Sequence, residues 1–264
     1  MFSEIIDIGV NLTHRSFRND SDEVILRARR VGVTRMVVTG TSVSESRLAQ
    51  QLAKRYPGIL YATAGIHPHD ARHWHDNTAD ALRELAATPE VVALGEMGLD
   101  FNRDYSPRPQ QEKAFAAQLE LAAALGMPVF LHERDAQESF LKCLARYRDR
   151  LGPAVIHCFT GTKETLAAYL DLDLHIGITG WICDERRGLH LRDLVQSIPL
   201  QRLLLETDAP YLLPRNLQPK PKNRRNEPAF LPHVLTVVAD CLQLSPATVA
   251  SATTQAACAF FGLR

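Results

Sequence analysis

The sequence predicts an α/β protein of the (β/α)8 barrel class. Three observations carry that expectation. The chain has 264 residues, close to the ~250 typical of eight strand–helix units. Eight short apolar runs recur along it, at 5–10, 35–39, 60–64, 91–94, 128–131, 154–156, 174–178 and 202–205. Each is nearly all apolar instead of alternating, as a strand buried on both faces of a parallel sheet must be. Helical periodicity fills most of the intervals. A doubly wound open sheet is the alternative, but it would normally use fewer strands, and no G-x-G-x-x-G follows any run.

The elements read as follows. After the strands at 5–10 and 35–39, residues 44–55 start at Ser44, follow with Glu45 and carry a Leu48/Leu52 stripe, which predicts a helix. After the strand at 60–64, the stretch 78–87 places Ala81, Leu82 and Leu85 at helical spacing. The stretch 109–125 is the clearest helix, with Pro109 early, then Phe115, Leu119 and Ala122, and Gly126 as the stop. Residues 136–147 and 163–170 continue the alternation, and the tail is helical at 230–242 and 246–261. One stretch is irregular. Residues 210–228 hold Pro210, Pro214, Pro219, Pro221 and Pro228, and five Lys/Arg fall between Arg215 and Arg225 with no acid among them. That predicts a long loop after the eighth strand. No linker interrupts the pattern, so residues 1–264 are expected to form one domain.

Composition excludes several functions. Thirty Lys and Arg balance thirty Asp and Glu, so the chain cannot coat nucleic acid by bulk positive charge, although a local basic patch stays open. The apolar fraction of 45% argues against whole-chain disorder. No apolar run approaches the ~20 residues of a membrane span. The start, Met-Phe-Ser-Glu-Ile-Ile-Asp, carries an acid where a signal peptide would have Lys or Arg. Five scattered cysteines, 143, 158, 183, 241 and 258, form no C-x-x-C and suggest reduced thiols in a cytosolic protein.

The chemistry follows the strands. Run 60–64 leads into Gly-Ile-His67-Pro-His69, run 91–94 into Gly-Glu96-Met-Gly-Leu-Asp100, and run 128–131 into His132-Glu-Arg134-Asp135. Run 154–156 leads into His157, and run 202–205 into Glu206-Thr-Asp208. The C-terminal ends of barrel strands ring one mouth, where active sites sit. One histidine at a strand end is usually a hydrogen-bonded core residue. Five strand ends in the same register, each with an imidazole or carboxylate, predict a divalent-metal site with open positions. The six histidines outside these motifs and their neighbours, His14, His73, His75, His175, His190 and His233, read as packing or surface residues.

The motifs G-I-H-P-H at 65–69, G-E-M-G-L-D-F at 95–101, P-V-F-L-H-E-R-D-A at 128–136, I-H-C-F-T-G at 156–161, G-I-T-G-W-I-C-D-E-R-R-G at 177–188, L-L-E-T-D-A-P-Y-L-L-P-R at 204–215 and R-R-N-E-P-A-F-L-P-H at 224–233 together resemble the TatD-type metal-dependent nucleases. These are amidohydrolase-like barrels, and the resemblance runs from about residue 5 to the C-terminus. It implies a metal-dependent deoxyribonuclease, and for one branch of the family a 3′–5′ exonuclease on single strands of DNA and possibly RNA, with a role in DNA repair or degradation. It also implies that Glu96 is the metal-bridging carboxylate and that His132 and His157 are metal ligands. Asp208 would bind metal and orient the attacking water, and His67 would stand near the scissile phosphate. The first strand departs from the family's D-x-H-x-H: here Asp7 is followed by Gly9 and Asn11, so one metal position lacks two imidazoles.

Phosphodiester hydrolysis needs a nucleophilic water, charge relief on the phosphate and a stabilised leaving oxygen, and divalent ions supply all three. The catalytic candidates are Glu96, Asp208 and His67; the metal candidates are Glu96, His132, His157 and Asp208. Asp100 and Asp135 are expected to orient the ligand imidazoles. Oxygen-rich ligation favours Mg2+, with Mn2+ or Zn2+ as alternatives. Substrate contacts are expected from His69, Arg134, Arg186, Arg187, Arg224, Arg225 and Trp181, the cations tracking phosphates and the indole stacking on bases. The expected partner is single-stranded DNA or RNA, with no membrane, and the expected state is a cytoplasmic monomer. The competing enzyme class is an amidohydrolase or deacylase acting on an acylated amino acid or an aminoacyl-tRNA, which would normally keep the first-strand H-x-H. A non-enzymatic metal- or nucleic-acid-binding protein is the third reading.

Overall fold

The computed structural model describes residues 4–263; residues 1–3, on which part of the N-terminal reading rests, lie outside them. Eight parallel strands follow one another in chain order in one sheet, the strand order of a (β/α)8 barrel. They are β1 Ile5–Val10, β2 Val33–Val38, β3 Leu60–Ala64, β4 Val91–Asp100, β5 Val129–Arg134, β6 Ala154–Ile156, β7 His175–Ile178 and β8 Leu203–Leu205. The helices are α1 Ser21–Arg30, α2 Val43–Arg55, α3 Thr78–Ala86, α4 Arg108–Leu125, α5 Gln137–Ala145, α6 Lys163–Asp171, α7 Leu189–Leu194, α8 Leu231–Leu242 and α9 Pro246–Phe261. Three strands coincide with the predicted bounds, and the loop at 210–227 is free of regular structure as expected. Two helices, α1 and α7, go beyond the sequence reading. The first is short and rich in Arg and acids, and the second has six residues, too few for a period to register.

By contacts the chain divides into two compact units. The first comprises 1–38, 158–170 and 175–264 and carries β7, β8, β1 and β2. In it β8 meets β1: the Asp208 N–H donates to the Gly9 carbonyl at 2.9 Å, and the Asn11 N–H to that of Ala209 at 2.8 Å. All six residues of β1 are buried, and α9 packs on β1 and β8. The second comprises 39–157 and 171–174 and carries β3 to β6. Its core is built on Phe115, Phe130 and Phe140, all fully buried, with the rings of Phe115 and Phe140 stacked at 5.2 Å.

Two details of the second unit place the chemistry. The Ser42 hydroxyl accepts the Glu45 N–H at 3.2 Å, so the N-cap of α2 falls two residues before the expected start. Strand β4 runs on to Asp100 instead of ending at Leu94. Gly95 and Gly98 look like loop residues in sequence, yet they continue the strand at φ 136° and 147°. A Cβ on Gly98 would overlap the His132 carbonyl, so only glycine lets β4 lie this close to β5. No single helix among the described residues is long and apolar enough to cross a membrane. The five cysteines form no disulfide.

Candidate active site

Glu96 sits at an irregularity in β4. Between Leu94 and Met97 the strand advances three residues while β5 advances two, from Val129 to Leu131. Such a bulge re-aims a side chain. The backbone there is pinned by the Glu96 N–H donating to the Gly40 carbonyl at 2.8 Å. The Glu96 side chain is buried, and one of its oxygens, Oε1, gathers three imidazoles: His157 Nε2 at 2.8 Å, His132 Nδ1 at 2.9 Å and His67 Nε2 at 3.2 Å. His132 Nδ1 and His157 Nε2 are themselves 3.3 Å apart. Burial opposes charge on Glu96, but the His157, His67 and His132 imidazoles outweigh it and hold the carboxyl well below the usual range.

The three imidazoles are not equivalent. His67 Nδ1 accepts the His69 backbone N–H at 3.1 Å, so in the neutral ring the proton is on Nε2, facing Glu96. Burial pushes His67 down to about 4 against the pull of Glu96, so the ring is neutral at pH 7 and acts there as a donor. His132 turns Nδ1 to Glu96 and Nε2 toward Asp100 Oδ2, 3.6 Å away. That Nε2 is buried and has no hydrogen-bond partner. Burial disfavours its charge, yet Asp100 and Glu96 raise its pKa overall. Asp100 in turn accepts from His69 Nε2 at 2.7 Å and from the N–H groups of Asn102 and Arg103.

This set fits a divalent cation. His67, Glu96 and His132 offer ligand atoms that all lie within 4.8 Å of one another, and His157 Nε2 joins them at Glu96. A ligand lone pair on His132 Nδ1 puts the ring proton on the otherwise orphaned Nε2, aimed at Asp100, the usual carboxylate support of a metal-bound imidazole. The proton on His67 Nε2 makes His67 the weakest ligand of the group.

The sequence missed the residues that hold this geometry. Gln111 and Gln118 lie seven apart on α4 and both are buried. Gln118 accepts the Ile66 N–H at 2.7 Å and donates to the Ile66 carbonyl at 3.1 Å, next to His67. Gln111 does the same for Asp100, at 2.8 and 3.1 Å. Two amides at i and i+7 on the inner face of an otherwise apolar stripe were the available signal.

Asp208 belongs to the first unit. It follows β8 with φ 52°, and its Oδ1 accepts from Asn11 Nδ2 at 3.0 Å. The turn around it is strapped from two sides. Asn226 Nδ2 donates to the carbonyls of Thr207 and Tyr211 at 2.9 and 2.7 Å. The Thr207 N–H and hydroxyl donate to Asp7 at 2.9 and 2.5 Å. Burial pushes Asp7 up to about 7, with the Thr207 hydrogen bonds pulling the other way. Asn11 and Asp7, two of the first-strand motif positions, thus serve the Asp208 turn by hydrogen bonding.

The proposed substrate contacts sort into three groups. His69 and Arg134 stand near the Glu96 cluster: His69 is bonded to Asp100 and edges Tyr105 at 4.7 Å, and Arg134 is exposed at the end of β5, paired in register with Asp100. Trp181, Arg186, Arg187 and Arg224 line one pocket in the first unit. Arg225 makes the third group. It points elsewhere, binding Asp20 with two nitrogens at 2.8 and 2.6 Å and lying over the Phe17 ring at 4.7 Å. Its neighbour Arg224, at φ 52°, turns the chain between them, so adjacent arginines part. Asp135, expected to orient an imidazole, accepts from Asn102 Nδ2 at 2.6 Å.

Arg225→Ala is therefore expected to reduce stability by about 2 kcal/mol and to leave KM for nucleic acid unchanged, read by urea unfolding and steady-state kinetics. Asp20 is held below its ordinary value first by the Arg225 hydrogen bond. That contribution is complete above about pH 4 and disappears as pH falls through the folded-state pKa. A raised KM with unchanged stability would return Arg225 to the substrate.

Similarity to known proteins points one way. The profile of the family described as TatD related DNase matches residues 6–262. The chain is 58% identical over 235 residues to the 3′–5′ ssDNA/RNA exonuclease TatD of Erwinia billingiae, covering 89% of this chain and 90% of that one. It is 52% identical over 259 residues to the protein of the same name from Escherichia fergusonii, covering 98% and 99%. Among solved structures, a TatD homologue from Escherichia coli K12 superposes with a TM-score of 0.90 at 28% identity, covering both chains fully.

Proposed function

The chain belongs to the family of TatD-related DNases, and on that premise we propose that it is a metal-dependent phosphodiesterase. It removes nucleotides from the 3′ ends of single-stranded DNA and RNA, as the names of its relatives describe for them. One observation carries the hydrolytic reading: a buried, ionised Glu96 oxygen held among His132, His157 and His67. An amide-hydrolysing barrel would normally keep the first-strand H-x-H, and here Gly9 and Asn11 stand in its place.

Glu96, His132 and His157 would hold the metal. A divalent ion bound by them would acidify a water and neutralise phosphate charge. The protein supplies the remainder. Asp208 takes the proton from the attacking water, its carboxylate oriented by Asn11. His67 Nε2–H donates to a phosphate oxygen, a role suited to a ring that burial keeps neutral. Asp100 orients His132 and His69, and Arg134 and His69 meet the phosphate. Residues 1–264 act as one domain, a cytoplasmic monomer.

The missing first-strand imidazoles point to Mg2+, yet the atoms gathered at Glu96 are mostly imidazole nitrogen, which suits Mn2+ or Zn2+ better. The test combines both questions. An oligonucleotide labelled at its 5′ end is incubated with EDTA-treated protein, and Mg2+, Mn2+ or Zn2+ is added back. A ladder shortening one nucleotide at a time, absent in EDTA and restored at least as well by Mn2+ as by Mg2+, is expected. Undiminished cleavage in EDTA, or an intact oligonucleotide with all three ions, would refute the reading.

A further inference from the structure

The loops that follow β7 and β8 enclose a pocket of about 410 Å³. Its charged lining is one-sided: Arg186, Arg187, Arg215, Lys220 and Arg224 against the single carboxylate of Asp184. None of Glu96, His132, His157 or Asp208 lines it. Asp184 is buried and shared, lying 3.6 Å from Arg186, 3.8 Å from Arg187 and 3.8 Å from Arg215. One carboxylate between three guanidiniums gathers them without neutralising them. Arg215 has a second acid, Glu185 at 2.8 Å, which leaves Lys220 and Arg224 as the exposed cations that this loop turns to the pocket.

The wall is as telling as the charge. Trp181 is half-buried, and the Arg187 guanidinium lies over its ring at 5.0 Å, so an indole and a planar cation together make a stacking face. The two loops are locked. A Cβ on Gly180 would overlap the Leu212 carbonyl, and one on Gly188 would overlap that of Trp181. The pocket is thus preformed, which lowers the ordering cost of binding.

An excess of cations in a concave site destabilises the fold by self-repulsion unless an anion is bound. The volume suits one nucleotide. We propose that this pocket binds a nucleotide of the substrate strand other than the one being cleaved, its phosphate on Lys220 and Arg224 and its base on the Trp181–Arg187 face. The inference rests on the nuclease reading for the identity of the strand. It makes affinity depend on strand length and chemistry independent of it. Single strands are favoured because a paired base cannot leave its stack to reach the indole.

The test separates binding from cleavage. The chain has two tryptophans, so a Trp74→Phe protein reports Trp181 fluorescence alone. It is titrated, with metal present, with an oligothymidylate of about ten nucleotides whose 3′ linkages are cleavage-resistant phosphorothioates. Expected results are quenching, and a salt slope that falls by about 1.4 in Lys220→Ala/Arg224→Ala, since each phosphate contact on a single strand contributes ~0.7. In kinetics the same double variant raises KM about tenfold for the ten-mer and far less for a dinucleotide, the loss falling on KM and not on kcat. Read as KM for the ten-mer, Trp181→Phe recovers most of what Trp181→Ala loses. An unchanged salt slope, or a loss in kcat instead of KM, overturns the proposal. So does thymidine monophosphate quenching as tightly as the ten-mer, which would make the pocket a site for free nucleotide. A chain that binds as expected but never cleaves would refute the nuclease reading and leave the pocket standing.

Discussion

Glu96→Ala is expected to lower nucleotide release from single-stranded DNA by well over a hundredfold, beyond the 10–100-fold that removal of an outer support of a metal site costs. The reason is its sharing. A single oxygen faces His157 at 2.8 Å, His132 at 2.9 Å and His67 at 3.2 Å. Without it no carboxylate stands against the His132 and His157 nitrogens, 3.3 Å apart. Excess metal should not restore activity, and the change in melting temperature should be only a few degrees. Glu96→Gln keeps the shape and removes the charge, so an equal loss there assigns the effect to charge. Near-normal activity in both variants would remove this cluster from the reaction.

Asp208→Asn is the second large effect and the more selective one. Asparagine tolerates the φ of 52° found there, and its carbonyl oxygen can still accept from Asn11, now 3.0 Å from Oδ1. The straps from Asn226 and Asp7 act on the neighbouring backbone and Thr207, and are untouched. What disappears is the ability to take a proton. The expected result is a fall in kcat of about 10²–10⁴, with KM and melting temperature close to the parent. Activity within a few-fold of the parent would assign the proton to another group.

The regularity of the strands was open to sequence reading because burial on both faces leaves a composition that depends on nothing else. Strands β1, β3 and β6 end where their apolar runs end. Strand β4 outruns its apolar run because Gly95 and Gly98, residues that normally punctuate a loop, are present so that two backbones can approach. Helix α7 is shorter than two turns and carries no readable period. The buried amides of Gln111 and Gln118 looked like ordinary polar residues of a helix, since their partners, Asp100 and Ile66, are eleven and fifty-two residues away in sequence.

By itself the sequence determined the strand–helix alternation, the positions that follow each strand and the residue types placed there. Those follow from hydrophobic periodicity and side-chain chemistry, which are local. Only the tertiary structure decided that one oxygen of Glu96 serves three imidazoles, that His67 carries its proton on the nitrogen facing that oxygen, and that Arg224 and Arg225 part company, one to a pocket and the other to Asp20 and Phe17. Hydrogen-bond direction and ion pairing depend on distances of tenths of an ångström between residues remote along the chain, and no periodicity in the sequence encodes them.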